Sequence, residues 1–175
     1  MAQKSSKKKQ PKKSLIGTIG SLIIIALYVW LEISSPNTEE VSLENREKVE
    51  LVRVVDGDTI IVNYQNEKSR VRLIGINSPE SVHEDESKNT QEGRDASDFL
   101  KEYLADVEYV WLEFDVEPKD QYDRYLAYVW MNGEGTNVGE DMLNGIIVSR
   151  GFADARSYKP NVKYQDALEN VEKNR

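Results

Sequence analysis

A chain of 175 residues is long enough for one domain with a modest core plus an appendage. It has no cysteine and a single histidine, His83, which excludes disulfides, thiolate sites, cysteine nucleophiles and a His-rich zinc centre and leaves oxygen ligands as the metal chemistry. The net charge of −8 hides two opposed parts: six lysines against Glu32 make residues 1–37 +5, and the other 17 basic and 30 acidic residues make 38–175 −13, which counts against tight nonspecific binding of nucleic acid but not against a local basic or cation-bearing site.

Lys4, Lys7, Lys8, Lys9, Lys12 and Lys13 precede an apolar run at 15–31. As a helix this run spans about 26 Å, slightly short of a ~30 Å hydrocarbon core. It exceeds the ~7–15 residues of a signal h-region, and no small-x-small cleavage site follows directly. Tyr28 and Trp30 stand near its outer end, where aromatic rings favour the interface. It therefore reads as a transmembrane signal anchor over 15–33 behind a basic cytoplasmic segment at 1–14, with a cleaved signal peptide and secretion as the alternative. The positive-inside rule places everything after residue 37 outside a single-pass cell membrane. Residues 34–48 are polar and acidic and read as a linker, leaving 49–175 as the folded domain.

That domain opens with three β patterns, at 49–55, 59–64 and 69–76, each rich in β-branched residues. On the third, Val71, Leu73 and Gly75 share one face, while Arg70, Arg72 and Ile74 share the other. Residues 89–104 read as an amphipathic helix with Ala96, Phe99, Leu100 and Tyr103 on its apolar stripe. Two more strands follow at 108–114 and 125–131, then a long polar stretch at 132–141 that reads as an enlarged loop. Asn144 is placed as the N-cap of a short helix running to Arg150 and closed by Gly151. Tyr164, Leu168 and Val171 mark a last helix by their i, i+4, i+7 spacing. Five strands followed and interrupted by about three helices suit a small closed barrel in an α+β domain.

The chemistry concentrates in two segments. Val55-Asp56-Gly57-Asp58-Thr59 sets two carboxylates one residue apart, and Arg72-Leu73-Ile74-Gly75-Ile76-Asn77-Ser78-Pro79-Glu80 adds an arginine, a carboxamide and a glutamate within one strand-turn-strand length. Two acids and an amide oxygen can hold a hard cation such as Ca²⁺. An arginine beside it can grip a phosphate bidentately, and a glutamate can act as general base. A second arginine, Arg124, lies in Asp120-Gln121-Tyr122-Asp123-Arg124-Tyr125-Leu126-Ala127-Tyr128. Together they point to metal-assisted cleavage of a phosphodiester. Each piece also has a plainer reading. Asp-Gly is a common turn dipeptide, Glu80 can be a surface carboxylate, Arg72 can pair with a neighbouring acid, and Arg124 with Asp120 or Asp123. Tyr122 and Tyr158 read equally well as core aromatics, and His83 reads as a solvated loop residue.

In order and spacing, those three segments and Tyr158-Lys159-Pro160-Asn161 resemble the staphylococcal-nuclease-like (thermonuclease) family over about residues 49–173. The resemblance implies an OB-fold barrel and a Ca²⁺ cofactor. It makes Asp58 a direct ligand, has Asp56 support the ion from farther out, and gives Ser78 a ligating backbone carbonyl. Asn77 stands where the family usually carries an aspartate ligand, so weaker Ca²⁺ binding with function retained is expected. Glu80 matches the general base, Arg72 and Arg124 the two phosphate-holding arginines, and Tyr122 and Tyr158 the aromatics of the nucleotide pocket. Lys159 could touch a phosphate or merely shape its loop. Gln121 replaces a frequent basic residue, and Asp123 a frequent glycine. The family's final helix usually continues beyond the point where this chain stops, so a shortened last helix is expected.

The resulting expectation is a membrane-tethered, monomeric, Ca²⁺-dependent nuclease acting on DNA or RNA, favouring single strands and leaving 3′-phosphates. Its chief rival is a degenerate module that binds nucleic acid or protein without catalysis, suggested by Asn77, Asp123 and the acidic surface. A third reading is a surface protein whose acids bind Ca²⁺ without turnover.

Overall fold

A computed structural model describes residues 45–81 and 89–175. The lysine-rich start, the expected anchor at 15–33 and His83 lie outside the described residues; among the described residues no helix is long and apolar enough to cross a membrane. Alternating burial builds the first sheet. In β2 (Thr59–Tyr64) and β3 (Glu67–Leu73), Ile60, Val62, Val71 and Leu73 point inward and are fully buried. The two strands join through Gln65 and Asn66, both at positive φ (52° and 67°), as the right-handed twist of a two-residue hairpin demands. β1 (Arg46–Asp56) begins three residues before the expected β pattern, and β5 (Tyr109–Lys119) runs on past Phe114. With β6 (Tyr125–Trp130) they close a five-stranded barrel in the order β1-β2-β3-β6-β5. β1 and β5 pair antiparallel from Arg46↔Glu113 to Glu50↔Tyr109, and β3 meets β6 in the one parallel pair of this barrel. The expected five-stranded barrel with three helices is present.

Three local expectations are corrected. The third strand ends at Leu73 rather than Ile76. Gly75 does not continue its face but sits at φ +80°, where a Cβ would come within 2.5 Å of Leu168 Cδ1. Ile76–Asn77 then form β4, paired with β7 (Asp154–Ala155) in a separate two-stranded sheet. The first helix, α1 (Gln91–Tyr103), is capped by Thr90 and buries Gly93, Ala96, Ser97 and Leu100. Its inner face thus combines three small residues with Leu100, and Gly93 lies against the backbone of Pro79 and Glu80. Phe99 and Tyr103 flank that face, with Phe99 stacked on Phe152 at 4.5 Å. Asn144 is not an N-cap, since α2 (Leu143–Ser149) starts from Met142. Asn144 is fully buried inside the helix, accepts from Val129 N–H at 2.9 Å and donates to Ile74 C=O at 2.7 Å. It therefore serves backbone groups of two other elements that would otherwise be orphaned. Gly151, at φ +79°, closes α2 as expected.

The polar 132–141 stretch satisfies itself. Asp141 Oδ2 accepts from the amides of Thr136 and Asn137, and Asn132 Oδ1 accepts from Glu134 N–H. The last helix, α3 (Gln165–Lys173), buries Leu168 completely.

Among the described residues, Glu113 is the carboxylate with no exposed surface. Glu113, wholly buried on β5, accepts from Arg46 Nε at 3.1 Å and Trp130 Nε1 at 2.7 Å on one oxygen. The other oxygen accepts from Lys163 Nζ at 2.5 Å and Tyr164 OH at 2.9 Å. The Arg46 guanidinium lies 3.5 Å over the Trp130 ring and donates to Gly135 C=O at 2.7 Å. A buried charge survives only with this density of partners.

Candidate active site

The β1–β2 turn, the segment leaving β3, the β5–β6 loop and the 158–161 loop surround one cleft of about 550 Å³. Asp56, Asp58, Arg72, Asn77, Glu80, Tyr122, Arg124, Tyr158 and Lys159 all line it. A wider groove of about 800 Å³ runs along α2 and α3, but its walls carry one acid, Glu140, and two arginines, Arg150 and Arg175, among largely neutral and apolar residues. It lacks the cluster of acids beside arginines that marks the first cleft.

Asp58 is the pivot of the cleft. Its backbone N–H donates to Asp56 Oδ1 at 3.1 Å, and its carboxylate accepts from Ser78 N–H and Thr59 Oγ1, each at 3.1 Å. Arg72 Nη2 lies 2.8 Å from Asp58 Oδ2. Burial pushes the Asp58 carboxyl up, Asp56 adds to the rise, and Arg72 with the Ser78 and Thr59 donors oppose it, leaving it at about 6. Its negative charge is therefore under-compensated by the protein alone, the condition that a bound cation relieves. Among the described residues no three of His, Cys, Asp and Glu gather to hold a metal. The oxygen donors here are two carboxylates and the carboxamide of Asn77, a set that suits a hard cation with one charge fewer than three acids would supply.

Arg72 is held in place from several directions. Besides Asp58, it donates to Ile76 C=O at 3.1 Å and to Leu73 C=O. Arg124 Nε donates to Asp120 Oδ2 at 2.7 Å, and the amides of Arg124 and Tyr122 donate to Asp120 Oδ1. Against its partial burial, these donors hold Asp120 below the usual carboxylate range. Both plainer arginine pairings thus exist, and both serve to aim a guanidinium into the cleft. Asp123 sits at φ +61°, the left-handed region that glycine occupies freely. Its carboxylate turns to Lys119 Nζ at 2.7 Å rather than to Arg124.

Tyr122 and Tyr158 are not core residues, being 71% and 44% exposed. The Tyr122 ring lies 5.6 Å from the Arg124 guanidinium, and Tyr158 OH donates to Asn77 Oδ1 at 3.1 Å. Glu80 is exposed. Ser78 stands behind the cleft, its amide on Asp58 and its hydroxyl donating to Phe152 C=O at 3.1 Å.

Sequence reading missed several contributors. Arg70 shares the outer face of β3 with Arg72 and lines the cleft, a placement that strand alternation already implied. Asn161, 2% exposed, accepts from Glu117 N–H at 2.8 Å and donates to Glu117 C=O at 2.9 Å. It thereby fastens the loop bearing Tyr158 and Lys159 to the end of β5. Gly57 lets that turn close, because a Cβ there would lie 2.1 Å from Ser78 Oγ.

The family model for staphylococcal nuclease homologues matches residues 70–174. A thermonuclease of Staphylococcus hyicus is 35% identical over 159 residues, covering 91% of this chain and 89% of that protein. A thermonuclease of Staphylococcus intermedius is 36% identical over 151 residues, covering 86% and 84%. The endonuclease YncB of Bacillus subtilis is 37% identical over 119 residues, covering 67% and 53%.

Proposed function

The chain belongs to the staphylococcal nuclease homologue family, and from that premise we propose that it is a Ca²⁺-dependent nuclease that hydrolyses phosphodiesters of DNA or RNA. The observation that carries the reading is the convergence of Asp58, Asn77, Arg72, Glu80 and Arg124 on one cleft flanked by two exposed tyrosines. Asp58 and Asn77, with the Ser78 carbonyl and with Asp56 farther out, are the residues that would hold Ca²⁺. When bound, the ion supplies positive charge that polarises the scissile phosphate. Arg72 and Arg124 hold that phosphate through planar guanidinium groups and stabilise the charge that builds on it. Glu80 takes a proton from the attacking water. Tyr122 and Tyr158 stack bases, and Lys159 meets a neighbouring phosphate. An open cleft with stacking rings in an acidic domain favours single strands over duplex. By family analogy the products carry 3′-phosphates.

The test is hydrolysis of a fluorogenic single-stranded oligonucleotide by the full chain, titrated with Ca²⁺ and compared with Glu80→Gln. A Ca²⁺-dependent rate that drops ~10²–10⁴-fold in the variant is expected for loss of a general base. A second reading, a binding module without turnover, draws on Asn77 and on the engagement of Asp58 by Arg72. Oligonucleotide binding without cleavage at any Ca²⁺ level, from folded protein, would favour it. We further propose that the segment at 15–33, with its apolar run at 15–31, anchors the protein with the domain outside the membrane. Release from membranes by alkaline carbonate would refute the anchor.

A further inference from the structure

We propose that Gly93 is the positioning residue for Glu80, an inference that rests on Glu80 acting as the base of the reaction above. Glu80 is exposed and lines the cleft, so the position of its carboxylate depends on where its backbone is held. That backbone is seated on the first turn of α1. Glu80 C=O accepts from Thr90 N–H at 2.9 Å, and Thr90 Oγ1 accepts from Gly93 N–H at 3.0 Å. Gly93 is buried against the same carbonyl. A Cβ built on it would lie 2.1 Å from Glu80 O, 2.4 Å from Glu80 C and 2.8 Å from Pro79 O.

These neighbours are backbone atoms and cannot swing aside as a side chain would. Adding one methyl group therefore pushes the Pro79–Glu80 peptide or the whole helix outward. Gly57 makes a matching close approach on the other side of the loop, where its Cβ would meet Ser78 Oγ at 2.1 Å and Ala96 Cβ at 2.9 Å. The segment from Asn77 to Glu80 is thus clamped between α1 and the β1–β2 turn, and Gly93 sets its depth. Helix propensity runs against this choice, since glycine is a poorer helix former than alanine. Close approach gives glycine a reason to be there that propensity does not.

The experiment measures kcat and KM for a single-stranded oligonucleotide at saturating Ca²⁺ with the full chain, as wild type, Gly93→Ala, Glu80→Gln and the double variant. Displacement of a reacting group by ~1 Å costs about 10²-fold, so Gly93→Ala is expected to lose about that much in kcat with KM within about threefold. The decisive readout is the double variant, whose kcat should equal that of Glu80→Gln within about twofold, because a residue acting through Glu80 has nothing left to position. Multiplicative losses, or an unchanged kcat in Gly93→Ala, would overturn the role of Gly93 alone. Wild-type activity in Glu80→Gln would instead overturn the assignment of Glu80, and this proposal with it. Should Gly93→Ala fail to fold by circular dichroism, Thr90→Ala loosens the same turn without adding volume. It should lower kcat several-fold and have no effect in the Glu80→Gln background; an additive effect there would overturn the proposal.

Discussion

Replacing Asp58 with asparagine should stabilise the cation-free protein at neutral pH, an outcome that inverts the usual expectation for a buried site residue. The Asp58 side chain is 12% exposed and lies 2.8 Å from Arg72, yet its carboxyl titrates near 6 instead of 3.8 because burial outweighs the arginine. A folded-state value above the unfolded one means that the native protein binds the extra proton between about pH 4 and 6. Stability therefore falls as pH rises through that window, and the full penalty, about 3 kcal/mol, is present above it. Asparagine keeps the shape and removes the charge, at the loss of the pair with Arg72. Urea melts in chelator should show Asp58→Asn about 1–3 kcal/mol more stable than wild type at pH 7.5, with the difference gone near pH 4. Saturating Ca²⁺ should reverse the order, since only the wild type gains binding free energy, and nuclease activity should be lost. A variant less stable than wild type in chelator at pH 7.5, or a difference that does not move with pH, would refute the reasoning.

Three other substitutions probe separate parts of the molecule. Asn77→Asp adds a third carboxylate beside Asp58 and should lower the Ca²⁺ concentration for half-maximal activity by about tenfold, read from a metal titration. Glu113→Gln leaves Arg46 and Lys163 around a neutral group in the core and should cost ~3–5 kcal/mol, as for other broken buried pairs; a loss under 1 kcal/mol in urea would show the network to be dispensable. Replacing Gln65-Asn66 by Asn-Gly fits the two positive-φ positions of the hairpin. That change should add about 1 kcal/mol and raise Tm by a few degrees, measured by calorimetry, with activity unchanged.

The cleft was legible because its chemistry sits in short contiguous segments whose spacing survives folding. Asp56 and Asp58 flank a turn, Arg72 follows from strand alternation, and Asn77 to Glu80 leave the end of that strand together. What escaped were contacts between segments distant in sequence. Asn144 looks like a cap because Asn favours caps, but its partners, Val129 and Ile74, come from two other parts of the chain. Gly93 looks like a weak helix residue until Glu80 C=O is found against it. Of the helical stripe, Ala96 and Leu100 are buried as expected, but Tyr103 is exposed, and Gly93 and Ser97 turn inward in a way that side-chain polarity does not signal. Asp123 offers Arg124 a plainer partner by its nearness in sequence, but at its left-handed backbone position the carboxylate meets Lys119 instead.

The four donors around Glu113 also bear on how the chain reaches this structure. Arg46 comes from the opening strand and lies 67 residues from Glu113, while Lys163 and Tyr164 follow it by 50 and 51. The pairing that closes the barrel, β1 against β5, spans a similar distance. Contacts of such separation are slow to form because the intervening loop must be ordered first. A nascent chain released from its N-terminus can assemble the β1–β2–β3 meander early, but Glu113 keeps half of its donors missing until residue 164 is available. Full satisfaction of that carboxylate thus requires residues from 46 to 164, so closure of the barrel around it is expected to be a late step in folding.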